Sequence, residues 1–439
     1  MASAVLKAGF AKTDLTPAVG LEVPGGFYKL LSTGIHDRLW AEAALVSDGR
    51  ETVAVVGVDL IMVPRDVVDA ARAAIEERIG IPARNVLIAA SHTHNGGPII
   101  ECFGSARDEE YRALVAERIA NAVVGAHASA LEAFVATGSG HEDSVAFNRR
   151  FLMTDGTVKT HPGKVNPDIV RPAGPTDPQV GVIALRDSDG RLLGCIVNYA
   201  CHGTTLGGSD LSADWVHYLR ETVRGGAGAP SAGVIFLNGA CGDVTQVDNQ
   251  SPRPAEFGEH WSRLVGTCVG AEVLKVLARA DYRPDAPVAA ASEELQLAIR
   301  DLGGSDEDIL RRESPDFGLG TGVEDVYARE VALVRAMKAA SPTAPGEVQA
   351  LRIGDAGIAA NPAEYFCAFG LDIKGRSPAP LTMVAELANG YVGYVPTEDA
   401  FAGGGYEVRT ARSSYLAPDA GDRIGDAAVG LLGELWERE

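Results

Sequence analysis

The sequence predicts an α/β protein: a mixed, largely parallel buried sheet core flanked by helices, with the active site at the carboxyl ends of the strands. Three observations carry this. The apolar, β-branched run from Thr52 to Leu60 is continuous rather than alternating, as in a strand buried on both faces. A helical pattern from Pro64 to Ile79, opened by proline and stopped by Gly80, separates it from the next apolar run, which begins at Val86, so strand, helix and strand follow in the order of a βαβ unit. Several apolar runs also stop on a polar residue or cluster, namely Asp59, His92 with His94, His202, Asp243, Glu364, and Asn389 with Tyr391 and Tyr394. Ligands of open α/β sheets bind beyond the carboxyl ends of the strands, so these endings read as one shared site.

The remaining elements fit that frame. Ala11 to Pro17 and Gly25-Gly26 make an extended, turn-rich opening, and Leu39 to Val46 is a strand that turns at Gly49 into the Thr52 run. Asp108 to Leu131 is a long helix, whereas the proline-rich stretch 156–178 reads as a long loop. Val180 to Asn198 is two strands joined at Asp189-Gly190, and Val234 to Asn238 is a short buried strand. Glu256 to Arg279 is a helix. The prolines that follow mark a break near 281–290, a subdomain boundary within one catalytic domain spanning 1–439. An acidic, glycine-rich stretch, 301–322, precedes a helix to about Ala340; Val348 to Ala360 is a hairpin, Leu381 to Ala388 the last strong strand, and Arg423 to Glu439 a closing helix. No internal repeat is visible.

Bulk properties limit the function. A chain of 439 residues, 46% hydrophobic and 22% charged, is long enough for a large core and ordinary for a globular protein. Its net charge of −20 argues against nucleic-acid backbones or anionic membranes as partners, leaving a small-molecule substrate and an open oligomeric state. The start lacks a signal-peptide pattern and the longest apolar stretch, 53–63, contains Asp59 and is too short to span a bilayer. A cytoplasmic enzyme is the expectation. The six cysteines form no Cys-x-x-Cys pair and read as reduced thiols, although Cys201 and Cys241 adjoin His202 and Asp243.

On an extended segment His92 and His94 would face the same side, about 7 Å apart at the backbone. By itself such a pair is either a metal site or a hydrogen-bonded turn. Together with His202 and Glu364 it becomes a His/His/carboxylate set of the kind that holds catalytic zinc and leaves a position open for water.

Six blocks in order carry a family resemblance: Ser91-His-Thr-His94-Asn-Gly-Gly-Pro, Asn148-Arg149, Asn198-Tyr-Ala-Cys-His202, Asn238-Gly-Ala-Cys-Gly-Asp-Val244, Pro362-Ala-Glu364 and Asn389-Gly-Tyr-Val-Gly-Tyr394. With Ile35-His36-Asp37 and Ser212-Ala-Asp214 they resemble the catalytic domain of the neutral/alkaline (non-lysosomal) ceramidases from Gly9 to about Tyr415. The resemblance implies a zinc amidase that hydrolyses an N-acyl bond with metal-activated water. It implies that His92, His202, Glu364 and Tyr394 hold Zn2+, that His94 faces the scissile group, and that Arg149 and Tyr406 hold or polarise the substrate. Asp243 falls on the acidic residue beside the nucleophilic centre, where it can move the proton of that water to the leaving amine. Asp214 is a candidate to orient a histidine, and Asp59 is a further acid of unassigned role.

Two departures from the family shape the expectation. Where the family carries serine after Asp-Val, this chain has Thr245, whose added methyl favours a hydrogen-bonding over a nucleophilic role and so favours water as the attacker. The sequence also closes on a helix where ceramidases continue into an immunoglobulin-like domain, and it shows no evident apolar patch for a lipid interface. The expected substrate is therefore a small soluble amide, linear or cyclic. An esterase or lactonase on the same site, a true ceramidase or other N-acyl lipid hydrolase, and a non-catalytic metal-binding homologue are the alternatives.

Overall fold

The computed structural model describes residues 5–254, 256–313 and 323–437. Three units of one topology follow each other along it. In the first, β1 (Lys7–Asp14), β2 (Trp40–Ser47) and β3 (Thr52–Val58) form an antiparallel meander, α1 (Arg65–Ile79) crosses over, and β4 (Val86–Ala90) pairs parallel to β3. Helix α2 (Glu109–Ala128) then packs with α1 on the outer face of the sheet. The second unit repeats the order with β5 (Phe134–His141), β6 (Gln179–Arg186), β7 (Leu192–Tyr199), α3 (Trp215–Gly226), β8 (Gly233–Asn238) and α4 (Glu259–Arg279). The third has β9 (Val288–Ala298), an inserted helix α5 (Val323–Ala340), β10 (Thr343–Ile353), β11 (Ala356–Ala360), α6 (Cys367–Arg376), β12 (Leu381–Ala385) and α7 (Ala420–Glu437). The sequence shows no repeat because this topology asks only for apolar strands and amphipathic helices in order, which many unrelated residues satisfy.

The fold class is mixed α/β as expected, but most ladders in these sheets are antiparallel, and each sheet holds a single parallel pair at one edge. The reason lies in double burial. In β3, Ala54, Val56 and Val58 face α1 and α2, while Val53 and Val55 face a central core. Residues of β3 therefore lose the in/out alternation that normally marks an antiparallel strand, and the run reads as if it came from a parallel sheet. The central core joins the inner faces of all three sheets, with Val55 and Leu87 from the first, Ile183, Ile196 and Ile235 from the second, and Leu351, Ile358 and Met383 from the third. Each such side chain contributes about 1.5–3 kcal/mol on burial.

That packing brings the exits of the three parallel edge strands together. The residues after β12 link the others: Glu386 N–H donates to Asn238 O at 3.0 Å, Ala90 N–H to Leu387 O at 3.2 Å, and Asn389 N–H to Ile88 O at 2.8 Å. Leu387 (φ 52°) and Asn389 (φ 61°) lie in the left-handed region, which ends β12 at Ala385 rather than at the expected Ala388.

Other differences are local. The proline-rich stretch 156–178 is not only loop, because Val158–Thr160 and Ile169–Pro172 pair with Arg150–Met153. Within 301–322, helix Asp306–Arg312 is capped by a Ser305–Asp308 capping box, while 314–322 lie outside the described residues. The closing helix begins at Ala420 rather than Arg423, and residues 438–439 also lie outside the described range. Among the described residues no helix is long and apolar enough to cross a membrane.

Asp59, at the exit of β3, serves this framework and not the site. It accepts Trp40 N–H at 2.9 Å and pairs with the buried Arg220 of α3 at 2.6 Å. Replacing Arg220 by methionine would leave Asp59 buried without its cation. A stability loss of about 3–5 kcal/mol is expected in urea unfolding, and a loss below about 1 kcal/mol would show that the pair is dispensable.

Candidate metal centre

The exits of β4, β7 and β11 carry His92, His202 and Glu364 to one point. His92 does not sit on an extended segment as its spacing predicted. Its φ is 65°, and its N–H donates to Leu60 O at 3.0 Å, while His94 N–H donates to Gly203 O at 3.1 Å. A left-handed turn, not strand alternation, sets the two rings edge to face with centroids 4.9 Å apart. The His92 and His202 rings are 4.5 Å apart.

The second nitrogens decide what the rings can do. His92 Nδ1 lies 2.7 Å from Ile61 O, and His202 Nδ1 lies 2.8 Å from Cys241 O. A carbonyl only accepts, so each Nδ1 carries the proton and each Nε2 presents a lone pair. Those Nε2 atoms lie 3.4 Å (His92) and 3.6 Å (His202) from Glu364 Oε2. Two donors on a tetrahedral zinc at 2.0–2.2 Å stand about 3.3–3.6 Å apart, so the spacing fits the ion. Glu364 Oε1 is occupied by the Tyr391 hydroxyl at 2.8 Å, whereas Glu364 Oε2, His92 Nε2 and His94 Nε2 are buried with no hydrogen-bond partner. Buried polar atoms left this way cost free energy unless something else satisfies them.

His94 belongs to the same cluster, since ring nitrogens of His92, His94 and His202 lie within 4.8 Å of one another. Distance alone would admit it as a ligand. What separates it from the others is its Nδ1, which lies against Gly25 rather than in a carbonyl bond of the kind that anchors metal-binding imidazoles. Tyr394 stands opposite Glu364 in a short parallel ladder, with Glu364 N–H bonded to Gly393 O.

Electrostatics follow burial. Desolvation and then the neighbouring Arg149 push His202 down to about 3, and desolvation with His92 and His202 holds His94 well below its ordinary range. For His92, burial is outweighed by the Glu364 carboxylate and the pKa rises; Glu364, opposed by its own burial, is held well below the usual carboxylate range by His92.

Arg149 is not a surface cation. Its Nε donates to Glu407 at 2.7 Å and its Nη2 to Gly242 O at 2.7 Å, which sets Nη1 3.2 Å from His202 Nε2. The guanidinium lies 5.4 Å from the Tyr394 ring and 5.9 Å from that of Tyr406. Tyr406 is no stray loop aromatic, because it packs edge-on against Tyr394 and Phe27. Glu407 was not singled out from sequence. Burial raises its carboxyl, but Arg150 and Arg149 bring it down to about 2, so it is the fixed anion that holds the arginine.

Asp243 and Asp214 are placed away from the expected positions, and Thr245 makes a hydrogen bond. Asp243 is not brought to the imidazoles: one oxygen accepts Cys367 N–H at 2.8 Å and the other the Asn148 amide at 2.7 Å, and it lines a separate cavity of about 320 Å³ with Arg150 and Phe366. Asp214 caps α3 and takes Leu206 N–H at 2.8 Å, steadying the His202 loop without touching a ring. Thr245 directly follows the Val244 carbonyl that lies 3.1 Å from His202 Nδ1, and its own hydroxyl accepts Val247 N–H at 3.3 Å. Sequence reasoning also missed Glu386 as a site residue, a carboxyl that burial pushes up to about 8; its signal is a lone acid inside the apolar run 381–388. The absence of an apolar patch is also corrected, since Val19, Tyr28, Leu30, Leu31 and Ile35 are exposed in one segment around the Glu22–Leu31 bridge. Gly25 of that segment, with φ 114°, approaches His94 so closely that a Cβ there would lie 2.7 Å from Nδ1.

Residues 7–214 match the family model for the N-terminal part of the neutral/alkaline non-lysosomal ceramidases. The neutral ceramidase of Pseudomonas aeruginosa is 25% identical over 470 aligned positions, covering 91% of this chain and 68% of that protein. The chain is thus similar to the neutral/alkaline ceramidases over most of its length. Its fold agrees. The crystal structure of the Pseudomonas aeruginosa neutral ceramidase superposes with a TM-score of 0.76 at 20% identity, covering 99% of this chain and 75% of that one. A solved structure described as a ceramidase complexed with C2 gives 0.75 at 18% identity, covering 99% and 76%. The histidine cluster lies where the three sheets meet.

The hydrogen bonds of Asp243 predict a structural phenotype. Asp243→Asn turns an NH2 toward a donor, and unfolding should show a loss of about 1–3 kcal/mol. Turnover per folded molecule is expected to stay within about tenfold, whereas a proton-transfer role would cost about 10²–10⁴-fold.

Proposed function

We propose that this protein is a zinc-dependent hydrolase of N-acyl amide bonds. The observation that supports this most is the triangle of His92 Nε2, His202 Nε2 and Glu364 Oε2, at 3.4 and 3.6 Å, with two of the three atoms buried and unpartnered. His92, His202 and Glu364 would hold the ion and Tyr394 would complete the set. When bound, zinc supplies Lewis acidity, polarising the acyl carbonyl and lowering the pKa of water toward neutrality.

The chain's own groups supply the rest. Arg149, fixed by Glu407 and Gly242, and Tyr406 beside it offer donors to the oxyanion that develops on the carbonyl. His94, kept neutral by desolvation and with Nε2 unpartnered, is the group we assign to accept the proton of the attacking water and return it to the leaving amine, in place of Asp243. Thr245 steadies the segment beside His202 and is not the attacker.

The acyl and amine parts are proposed to be small and soluble, with ester or lactone cleavage a less favoured use of the same groups. A second reading, an N-acyl lipid such as ceramide, draws support from the exposed Val19, Tyr28, Leu30, Leu31 and Ile35 flanking the glycine that touches His94. Zinc analysis followed by a substrate panel separates them. One zinc per chain is expected, with amide turnover abolished by a chelator and restored by zinc. Turnover of short N-acetyl amides alone supports the first reading, and turnover of long-chain N-acyl sphingoid bases alone supports the second. No amide turnover in the zinc-loaded protein would defeat both. His92→Ala should abolish activity, while Thr245→Ala should lower it within about tenfold, the worth of one hydrogen bond; a loss as complete as that of His92→Ala would return the hydroxyl to the role of attacker.

A further inference from the structure

Glu386 follows β12 and is fully buried, and the chemistry above makes no use of it. Among the described residues no lysine or arginine forms an ion pair with it. Its Oε2 accepts Cys241 N–H at 3.0 Å and Tyr365 N–H at 2.8 Å, its Oε1 accepts the Cys241 thiol at 3.0 Å, and its own N–H donates to Asn238 O at 3.0 Å. Cys241 is the residue whose carbonyl receives His202 Nδ1–H, and Tyr365 is the residue directly after Glu364. One carboxyl group thus grips the backbone of the second unit under one candidate ligand and the backbone of the third unit beside another. Space there is tight, since a Cβ on Gly242 would lie 2.5 Å from Glu364 O, so a shift of the Cys241 segment is passed on rather than absorbed.

We propose that Glu386 is a positioning residue that sets the placement of His202 relative to Glu364 by holding Cys241 and Tyr365 at once. It acts through their backbones and touches neither metal nor substrate. A carboxyl serves where an apolar residue of similar size would not, because two backbone N–H groups and a thiol converge on it from two different units of the fold. The inference rests on the reading of His202 and Glu364 as metal ligands.

Substitution separates geometry from mere bulk. Glu386→Gln can direct its single carbonyl oxygen at both N–H groups, so its zinc affinity, measured by competition with a chromophoric chelator, and its kcat should stay within about threefold of wild type. Glu386→Leu keeps the volume and loses both acceptors. Its zinc affinity should fall about 10- to 100-fold, the usual effect of removing a partner that orients a ligand. Zinc-saturated kcat should fall with little change in KM, and the visible spectrum of the cobalt-substituted protein should change shape. The expected pattern is thus rescue by glutamine at an unaltered circular dichroism spectrum. A leucine variant that folds, binds zinc as tightly as wild type and keeps its cobalt spectrum would overturn the proposal, as would a folded glutamine variant as impaired as leucine. Should the leucine variant fail to fold, Glu386→Asp carries the test, because a side chain one methylene shorter cannot reach both N–H groups. About tenfold weaker zinc binding supports the proposal and wild-type binding rejects it. If wild-type protein takes up neither zinc nor cobalt, the ligand reading fails and the proposal with it; if it takes them up and the variants are indifferent, only the positioning role fails.

Discussion

The inner faces of three sheets, buried against one another, are the constraint from which the rest of this structure follows. Valines, isoleucines and leucines from all three units fill one central core, and helices cover each sheet from outside. With both faces of every sheet buried, the only places where the sheets can expose polar side chains to a common volume are the strand ends. The candidate histidines and acids gather there, and the links from Glu386, Leu387 and Asn389 lock the three edges in register.

A polar cluster so placed must satisfy itself in a low-dielectric surrounding. Most of its groups do. Arg149 and Arg150 share Glu407, the two candidate ligand imidazoles give their Nδ1 protons to carbonyls, and Tyr391 occupies one oxygen of Glu364. The atoms left over, His92 Nε2, His94 Nε2 and Glu364 Oε2, converge rather than scatter, which is what a cation site requires and what chance leftovers would not give. Backbone strain points the same way, since His92, Asp214, Leu387 and Asn389 all adopt positive φ around this cluster, a cost of order 1 kcal/mol or more each that the surrounding core must sustain.

His92, His202 and Glu364 were legible because each sits in a short block whose residue types name their chemistry, whereas Arg149 and Tyr406 were marked only by the family resemblance. Asp243 was equally legible but its partners were not, since a carboxylate beside a cysteine and a glycine looks the same whether it faces an imidazole or an asparagine amide. Glu386 and Glu407 were missed for the opposite reason. Each is an isolated acid whose importance comes from partners on other segments, Cys241 and Tyr365 for Glu386 and Arg149 and Arg150 for Glu407, and no local spacing records that. The expectation of mainly parallel strands failed on double burial, which removes the alternation by which antiparallel strands are recognised.

By itself the sequence determined the class of the fold, the strand ends as the place of chemistry, and the imidazole and carboxylate types gathered there, because hydrophobic periodicity and short motifs are local properties of the chain. Only the tertiary structure decided the strand directions, the threefold recurrence of one topology, the carbonyl partners that distinguish His92 Nδ1 from His94 Nδ1, and the placement of Asp243 against Asn148 and Cys367. Those depend on which carbonyl, amide or guanidinium from a distant segment meets each side chain, and it is long-range packing of the three sheets that sets those meetings.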